Sequence, residues 1–278
     1  MKSNKEYLYN LFNLKDKVVI LTGGLGKLGT QYTEALVKSG AKVAIFDISI
    51  EVNDILKSLV KDYPIIFIKV DITKESEVKK ALAKVVKKWG TPSVLVNNAG
   101  WKASPNKASR ASVPFEKYPI DIWEEAFKLN TTAAAICSKI VGGELIMRKK
   151  NGVIINIASH YGLVSPDQRI YEYRKKNGKK VFVKDASYSA SKAALIALTR
   201  DLATQWAPHG IRVVALAPGG VFSPESDKEF VRAYSKRVPL NRMARVSEMN
   251  GALIFLISDA SSYITGTTLI VDGGWTAW

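Results

Sequence analysis

With 278 residues, 47% of them hydrophobic, the chain is long enough for one large core or two small ones, and its single cysteine, Cys137, excludes an internal disulfide. Two histidines, His160 and His209, are too few and too far apart for a usual zinc site, no stretch approaches the about 20 apolar residues of a membrane span, and Met1 to Lys17 lacks the apolar core of a leader, so a metal-free, cytoplasmic protein is expected. The formal net charge of +16 is spread over single lysines and pairs such as Lys79-Lys80, Lys87-Lys88 and Lys149-Lys150, which predicts a solvated basic surface and no specific nucleic-acid partner.

Met1 to Asp16 reads as a lead-in with a helical turn around Tyr7, Leu8, Leu11 and Phe12. Lys17-Val-Val-Ile-Leu-Thr22 is an apolar run suited to a strand buried on both faces of a parallel sheet. Gly23-Gly-Leu-Gly26-Lys-Leu-Gly29 follows, then the helical pattern TQYTEALVKSG. Strand, glycine turn and helix is the order a dinucleotide site requires: glycines let the backbone approach a pyrophosphate, and the helix N-terminus offers free N–H groups. The next strand, Lys42 to Phe46, ends in Asp47, eighteen residues past Gly29, where a carboxylate can accept from both ribose hydroxyls and repels a 2′-phosphate. This predicts NAD as cofactor, with NADP as the alternative.

The alternation continues. Ile65 to Val70 is a third strand, closed by Asp71-Ile-Thr73 and followed by the helix ESEVKKALAKVVKKWG; Ser93 to Val96 is a fourth, closed by Asn97-Asn-Ala-Gly100. Gly152 to Ile157 ends at Ala158-Ser159, Arg212 to Leu216 ends in Pro218-Gly-Gly220, and Thr268 to Val271 runs into Asp272-Gly-Gly274. Strands alternating with helices imply right-handed crossovers and a seven-stranded, doubly wound parallel sheet of the α/β class with helices on both faces. With no linker or repeat, residues 1–278 read as one domain.

Tyr188-Ser-Ala-Ser-Lys192 opens a helical pattern that places a phenol and an ammonium one turn apart on one face. A cation beside a tyrosine favours the phenolate, so Tyr188 is a candidate proton-transfer group; the plain alternative is a surface pair on an amphipathic helix.

In order along the chain, TGGLGKLG, Asp47, Asp71, NNAG, Asn130, Ser159, YSASK, PGG and VDGG resemble the motifs of the short-chain dehydrogenase/reductase family, over nearly the whole length. The resemblance implies a catalytic set of Asn130, Ser159, Tyr188 and Lys192, and cofactor contacts from Gly23, Gly26, Lys27, Leu28, Asp47, Asp71, Ile72, Asn98, Ala99, Gly100, Tyr188, Lys192, Pro218, Gly219 and Val221. It implies an NAD(P)-dependent oxidoreductase interconverting a secondary alcohol and a ketone on a polar, sugar-derived small molecule. The rivals are a 3-oxoacyl carrier-protein reductase and a non-catalytic dinucleotide-sensing protein. Ser159 can hydrogen-bond the substrate oxygen as charge develops, Lys192 can depress the Tyr188 pKa, and Asn130 can anchor a water that passes protons outward. Their plainer alternatives are a strand-end cap for Ser159 and a polar kink in a helix for Asn130.

Two departures from the family pattern stand out. The glycine motif is TGxxGxxG, with Lys27 where the classical pattern has glycine, which gives Gly26 the close-approach role and leaves Lys27 either in solvent or near the cofactor phosphates. Ser159 and Tyr188 are 29 residues apart, wider than is usual, so a segment within Leu163 to Asp185 is an insertion. Its YGLVSPD and RIYE stretches are similar to those of family members linked to flagellin and surface-sugar modification. The piece RIYEYRKKNGKKVFVKD reads as a basic hairpin turning at Asn177-Gly178, either a lid in which Arg169, Arg174 and Lys176 meet an anionic substrate or a solvated surface. Val221 to Val238 is expected to close over the site, with Phe222, Phe230 and Tyr234 as walls, and the aromatic tail ending in Trp278 predicts a homotetramer.

Overall fold

The computed structural model describes residues 4–101, 107, 110–176 and 184–278. A helix, α1 (Asn4–Phe12), precedes seven strands, β1 (Val18–Thr22), β2 (Lys42–Asp47), β3 (Ile65–Lys69), β4 (Val94–Asn97), β5 (Gly152–Ile157), β6 (Ile211–Pro218) and β7 (Thr268–Val271). They form one parallel sheet in the order β3-β2-β1-β4-β5-β6-β7, and every strand read from the sequence is present with ends shifted by at most two residues.

All five residues of β1 are buried because helices cover both sheet faces. Strand side chains alternate in direction, so Val19 and Leu21 enter one core layer while Val18 and Ile20 enter the other. The first layer holds Tyr32, Leu36 and Val37 of α2 (Lys27–Lys38) and Leu253 and Leu256 of a late helix (Asn250–Ile257). In the second layer are Val78, Leu82 and Val85 of the helix Glu75–Trp89, Cys137, Val141 and Leu145 of the helix Ala133–Met147, and Ala203 of the helix Ala186–Trp206. Each fully buried aliphatic side chain contributes on the order of 1.5–3 kcal/mol. Burial pushes the Cys137 thiol pKa up to about 12, so it acts as a small hydrophobe.

The long helix Ala186–Trp206, called α7 below, carries Tyr188 and Lys192 and is tied to the sheet by polar bonds in the core. Asn97 on β4 donates to Asn156 on β5 (2.8 Å) and to Ser138 (3.0 Å), and Asn156 donates to Thr199 on α7 (2.9 Å). At its start Asp185 is the N-cap: one carboxylate oxygen accepts from the Tyr188 N–H (2.9 Å), the Ser187 hydroxyl (2.6 Å) and the Tyr118 hydroxyl (3.1 Å).

The inserted segment departs from the expected hairpin. Its first half is a 3₁₀ turn, Gln168–Tyr171, followed by a short helical turn, Tyr173–Lys176, where a strand was expected. Asp167 caps the 3₁₀ turn by accepting from the Arg169 N–H (3.1 Å), and the turn buries the consecutive residues Ile170 and Tyr171. The Asn177-Gly178 turn, with Lys179 and Lys180, lies outside the described residues.

Candidate active site

A cleft of about 870 Å³ opens at the C-terminal ends of the strands, beside the point where strand order reverses between β1 and β4. One half is built by the glycine turn after β1. Gly23 has φ +64°, and a Cβ there would sit 2.7 Å from Ala99 Cα. A Cβ on Gly29 would sit 2.3 Å from the Gly23 carbonyl oxygen, so any side chain would push α2 off the turn. Gly26 has ordinary extended backbone with its nearest protein obstacle at 3.3 Å, whereas Gly23 and Gly29 are the positions where the chain packs on itself too closely for a Cβ. As the N-cap of α2 it has no side-chain cap bond, leaving the first-turn N–H groups of Lys27, Leu28 and Gly29 without intrahelical partners, a site for an anion.

Asp47 closes this half. Its carboxylate accepts from the Leu25 N–H (3.0 Å) and the Ser49 N–H (3.1 Å), holding it against the glycine turn at the cleft wall. Asp71, Ile72, Asn98, Ala99 and Gly100 line the same wall. Asp71 accepts from the Thr73 hydroxyl (2.7 Å) and N–H (3.0 Å), and chiefly for that reason its pKa is lowered. Asn98 donates to the Thr22 and Gly23 carbonyls (3.0 Å each), while its N–H and that of Ala99 donate to the Thr22 hydroxyl (3.0 and 3.1 Å). Thr22, which sequence reading passed over, thus fixes the two loops against each other. A cradle that tolerates no Cβ, free helix-end donors and a carboxylate at the next strand end fit a dinucleotide.

Ser159, Tyr188 and Lys192 line the other half together with Pro218, Gly219 and Val221. Lys192 lies one turn beyond Tyr188 on α7, and its ammonium donates to the Ile157 carbonyl (2.6 Å). Burial lowers its pKa to about 8. Burial also raises the Tyr188 pKa, and a hydrogen bond with Ser159 offsets part of that rise. The expected depression of Tyr188 by Lys192 is therefore not seen: burial and, to a smaller extent, Asp185 raise the phenol pKa, and the Lys192 ammonium is bonded to the Ile157 carbonyl. Ser159 accepts from the Tyr161 N–H (3.2 Å), so it caps a 3₁₀ turn while facing Tyr188. Asn130 sits in a π turn, Lys128–Thr132, which turns its side chain out of helical register; its carbonyl accepts from the Trp101 N–H (2.7 Å) and its amide donates to Ser191 (2.9 Å). A Cβ on Gly100 would lie 3.5 Å from Asn130 Oδ1 and 3.9 Å from Lys192 Nζ, so both groups border that glycine.

A family model described as enoyl-(acyl carrier protein) reductase matches residues 26–276. The chain belongs to the short-chain dehydrogenase/reductase family. It is similar to an NAD-dependent glycerol dehydrogenase of Listeria innocua serovar 6a, 30% identical over 95% of this chain and 96% of the relative. It is also 30% identical to a D-arabinitol 2-dehydrogenase (ribulose-forming) of Candida tropicalis, over 96% and 95% of the two chains. The crystal structure of a gluconate 5-dehydrogenase from Burkholderia cenocepacia J2315 in complex with NADP and tartrate superposes with a TM-score of 0.82 at 27% identity, covering 98% of this chain and 99% of that one. This short-chain dehydrogenase/reductase is an NAD(P)-dependent oxidoreductase of CH–OH groups.

Its departures from the classical family pattern have local explanations. Lys27 is exposed at the cleft wall, where its ammonium donates to the Phe222 carbonyl, and partial desolvation lowers its pKa against the opposing pull of Glu225. Phe222 itself is exposed and does not line the cleft, whereas Phe230 and Tyr234 do, as expected. The insertion contributes Tyr171 and Lys184 to the cleft, and Tyr171 stacks on Phe230 (centroids 5.6 Å apart). Arg169, read as a lid charge, binds Asp167 instead (2.8 Å), as does Arg237 (2.7 Å). Arg174 is described, while the Lys176 side chain lies outside the described residues.

His160 is the residue sequence reading used only to argue against zinc. It is buried beside Ser159, tilted against the Tyr161 ring (centroids 4.0 Å apart) and edge-on to Trp275. A carbonyl can only accept, so the Nδ1–H donates to Pro218 (3.1 Å), leaving Nε2 to accept from the Tyr234 hydroxyl (3.2 Å), whose oxygen accepts the Gly220 N–H (2.7 Å). This loop of bonds clamps the PGG turn to the strand end that carries Ser159. Its sequence signal was a histidine directly after a candidate serine. Among the described residues no cluster of three or more His, Cys, Asp or Glu could hold a metal, and no helix is long and apolar enough to cross a membrane.

Proposed function

We propose that this enzyme interconverts a secondary alcohol and a ketone on a polyhydroxylated, sugar-derived substrate, with NAD preferred over NADP. The observation that carries the reading is that Ser159, Tyr188 and Lys192 face the same cleft as the glycine cradle and Asp47. Gly23, Gly26, Lys27, Leu28, Asp47, Asp71, Ile72, Asn98, Ala99, Gly100, Pro218, Gly219 and Val221 would hold the dinucleotide, which supplies or takes up the hydride. Tyr188 moves the proton at the substrate oxygen. Its raised pKa keeps it protonated near neutral pH, as a donor toward a forming alkoxide must be. Ser159 hydrogen-bonds that oxygen as charge develops. Lys192, with a pKa near 8, holds the nicotinamide ribose and lowers the cost of the phenolate. Asn130, fixed at the π turn, orders water on the outward proton path. Asp47 favours NAD because its carboxylate faces the position a 2′-phosphate would take. The glycerol, arabinitol and gluconate activities named for its relatives support a polyol-type substrate.

A carrier-protein reductase is the second reading, favoured by the description of the matching family model and by the basic surface. Nicotinamide absorbance with NAD and NADP, over a panel of polyols, sugar acids and β-ketoacyl thioesters, separates the two. Turnover of polyols or sugar acids with NAD supports the first; turnover confined to thioesters overturns it. Titration of both cofactors by quenching of intrinsic fluorescence tests the preference, and tighter NADP binding refutes the role given to Asp47.

A further inference from the structure

The substrate end of the cleft is walled by aromatic side chains, among them Trp101, Tyr161, Tyr171 and Phe230, and the carboxylates that line the cleft, Asp47, Glu51 and Asp71, all come from the cofactor end. Among the described residues three lysines line the cleft. Lys27 is bound to the Phe222 carbonyl and Lys192 to the Ile157 carbonyl. Lys184 makes no ion pair with any described residue; its ammonium lies 4.7 Å from the centroid of the Tyr188 ring. Asp185 is adjacent, but one of its oxygens already accepts from Tyr118, Ser187 and the Tyr188 N–H. Burial lowers the Lys184 pKa despite the opposing pull of Asp185, so that carboxylate compensates the buried charge only in part.

The backbone around this lysine is held in place. The Gln168 side-chain carbonyl accepts the Lys184 N–H (2.8 Å), and its amide donates to the Lys184 carbonyl (3.2 Å). A single glutamine from the inserted segment thereby fixes both peptide groups of a residue that stands over the candidate proton donor. The exposed arginine of the same segment, Arg169, is already neutralised by Asp167. A side chain so placed suits recognition better than solvation, since a solvated lysine would extend its ammonium outward.

We propose that Lys184 is a specificity-determining residue that binds a carboxylate on the substrate, so that the preferred substrate is a sugar acid rather than a neutral polyol. This rests on the reading that the Tyr188 end of the cleft takes a polyhydroxylated molecule. The carboxylate would meet the ammonium while a hydroxyl-bearing carbon of the same chain lies at Ser159 and Tyr188.

Gluconate and sorbitol, six-carbon polyols that differ by a carboxylate at one end, test it on the NADH-saturated enzyme, where neither is oxidised. Calorimetric titration should show gluconate binding at least about tenfold tighter than sorbitol. In Lys184→Met, which keeps the aliphatic stem, the gluconate-to-sorbitol affinity ratio should fall about 10- to 100-fold, the range for a hydrogen bond to a charged group. Lys184→Arg should restore most of the ratio. Gluconate affinity in the wild type should also decline at alkaline pH as the Lys184 and Lys192 ammonium groups titrate, and in Lys184→Met only the smaller part owed to Lys192 should remain. Absence of gluconate binding, equal affinity for the two ligands, or a ratio unchanged in Lys184→Met overturns the proposal. Lys184-dependent gluconate binding with no oxidation of any polyol or sugar acid under either cofactor sinks the proposed function and the substrate assignment with it, and leaves only the contact between Lys184 and a carboxylate.

Discussion

Acidification tests whether the clamp around His160 holds a neutral imidazole. Burial lowers the His160 pKa from its ordinary 6.5 to about 4, opposed by the bond to the Pro218 carbonyl and by Asp272, and assisted by Lys184. The other polar groups facing the ring are the Tyr234 and Ser159 hydroxyls. Above pH 6.5 the ring is neutral in both folded and unfolded chains, and the contribution is fully present. Between pH 6.5 and about 4 only the unfolded chain takes up the proton, so stability is lost as pH falls. Integrated from pH 7.5 to 4.5, the loss is about 2.5 kcal/mol. Urea unfolding of wild type and His160→Gln at fixed protein concentration, at half-unit steps over that range, isolates the term. Glutamine can still donate to Pro218 and accept from Tyr234 but does not titrate. Wild type should lose about 2.5 kcal/mol more than the variant, with the same slope above pH 7. Parallel pH profiles would show that His160 takes up its proton as readily in the folded chain as in the unfolded one, and the clamp as drawn would be wrong.

Gly29→Ala should cost about 1–3 kcal/mol of stability and weaken cofactor binding, because its Cβ would meet the Gly23 carbonyl at 2.3 Å; thermal melts with and without NAD check this, and an unchanged melting point contradicts it. Asp185→Ala removes the α7 cap and strands the buried Tyr118 hydroxyl on Ser187 alone, so a loss of about 2 kcal/mol is expected by denaturant unfolding, together with lower turnover from misplacement of Tyr188. A homotetramer is expected: Trp275 packs within its own chain, but Trp278, Ile270, Leu240 and Tyr263 remain exposed. Light scattering should give four times the 30.6 kDa of one chain, and the mass of a single chain refutes the assembly.

The strands were legible because a parallel sheet covered on both faces turns into short apolar runs, and the five buried residues of β1 are such a run. The glycine turn and Asp47 were legible because strand, turn and helix place them by local geometry alone. What escaped depended on contacts between distant residues. Nothing in KLNTT announces a π turn, which is stabilised by Asn130 reaching Trp101 and Ser191. Counting charges in the insertion pointed to Arg169, yet Asp167, two residues away, takes that charge, and Lys184 is the cation brought to the cleft. The Tyr188 pKa runs upward although Lys192 lies one turn away, because that spacing is local whereas the burial that raises the pKa is set by the whole cleft wall.

The central claim is that Tyr188 carries the proton in alcohol–ketone interconversion, and Tyr188→Phe tests it most directly. The phenyl ring keeps the packing and the face presented to Lys184 while removing only the hydroxyl. Steady-state turnover of the best polyol or sugar acid, measured alongside the cofactor Kd by fluorescence quenching, should fall by about 10²–10⁴-fold with the Kd within about twofold of wild type. A variant that retains a tenth or more of wild-type turnover would contradict the account.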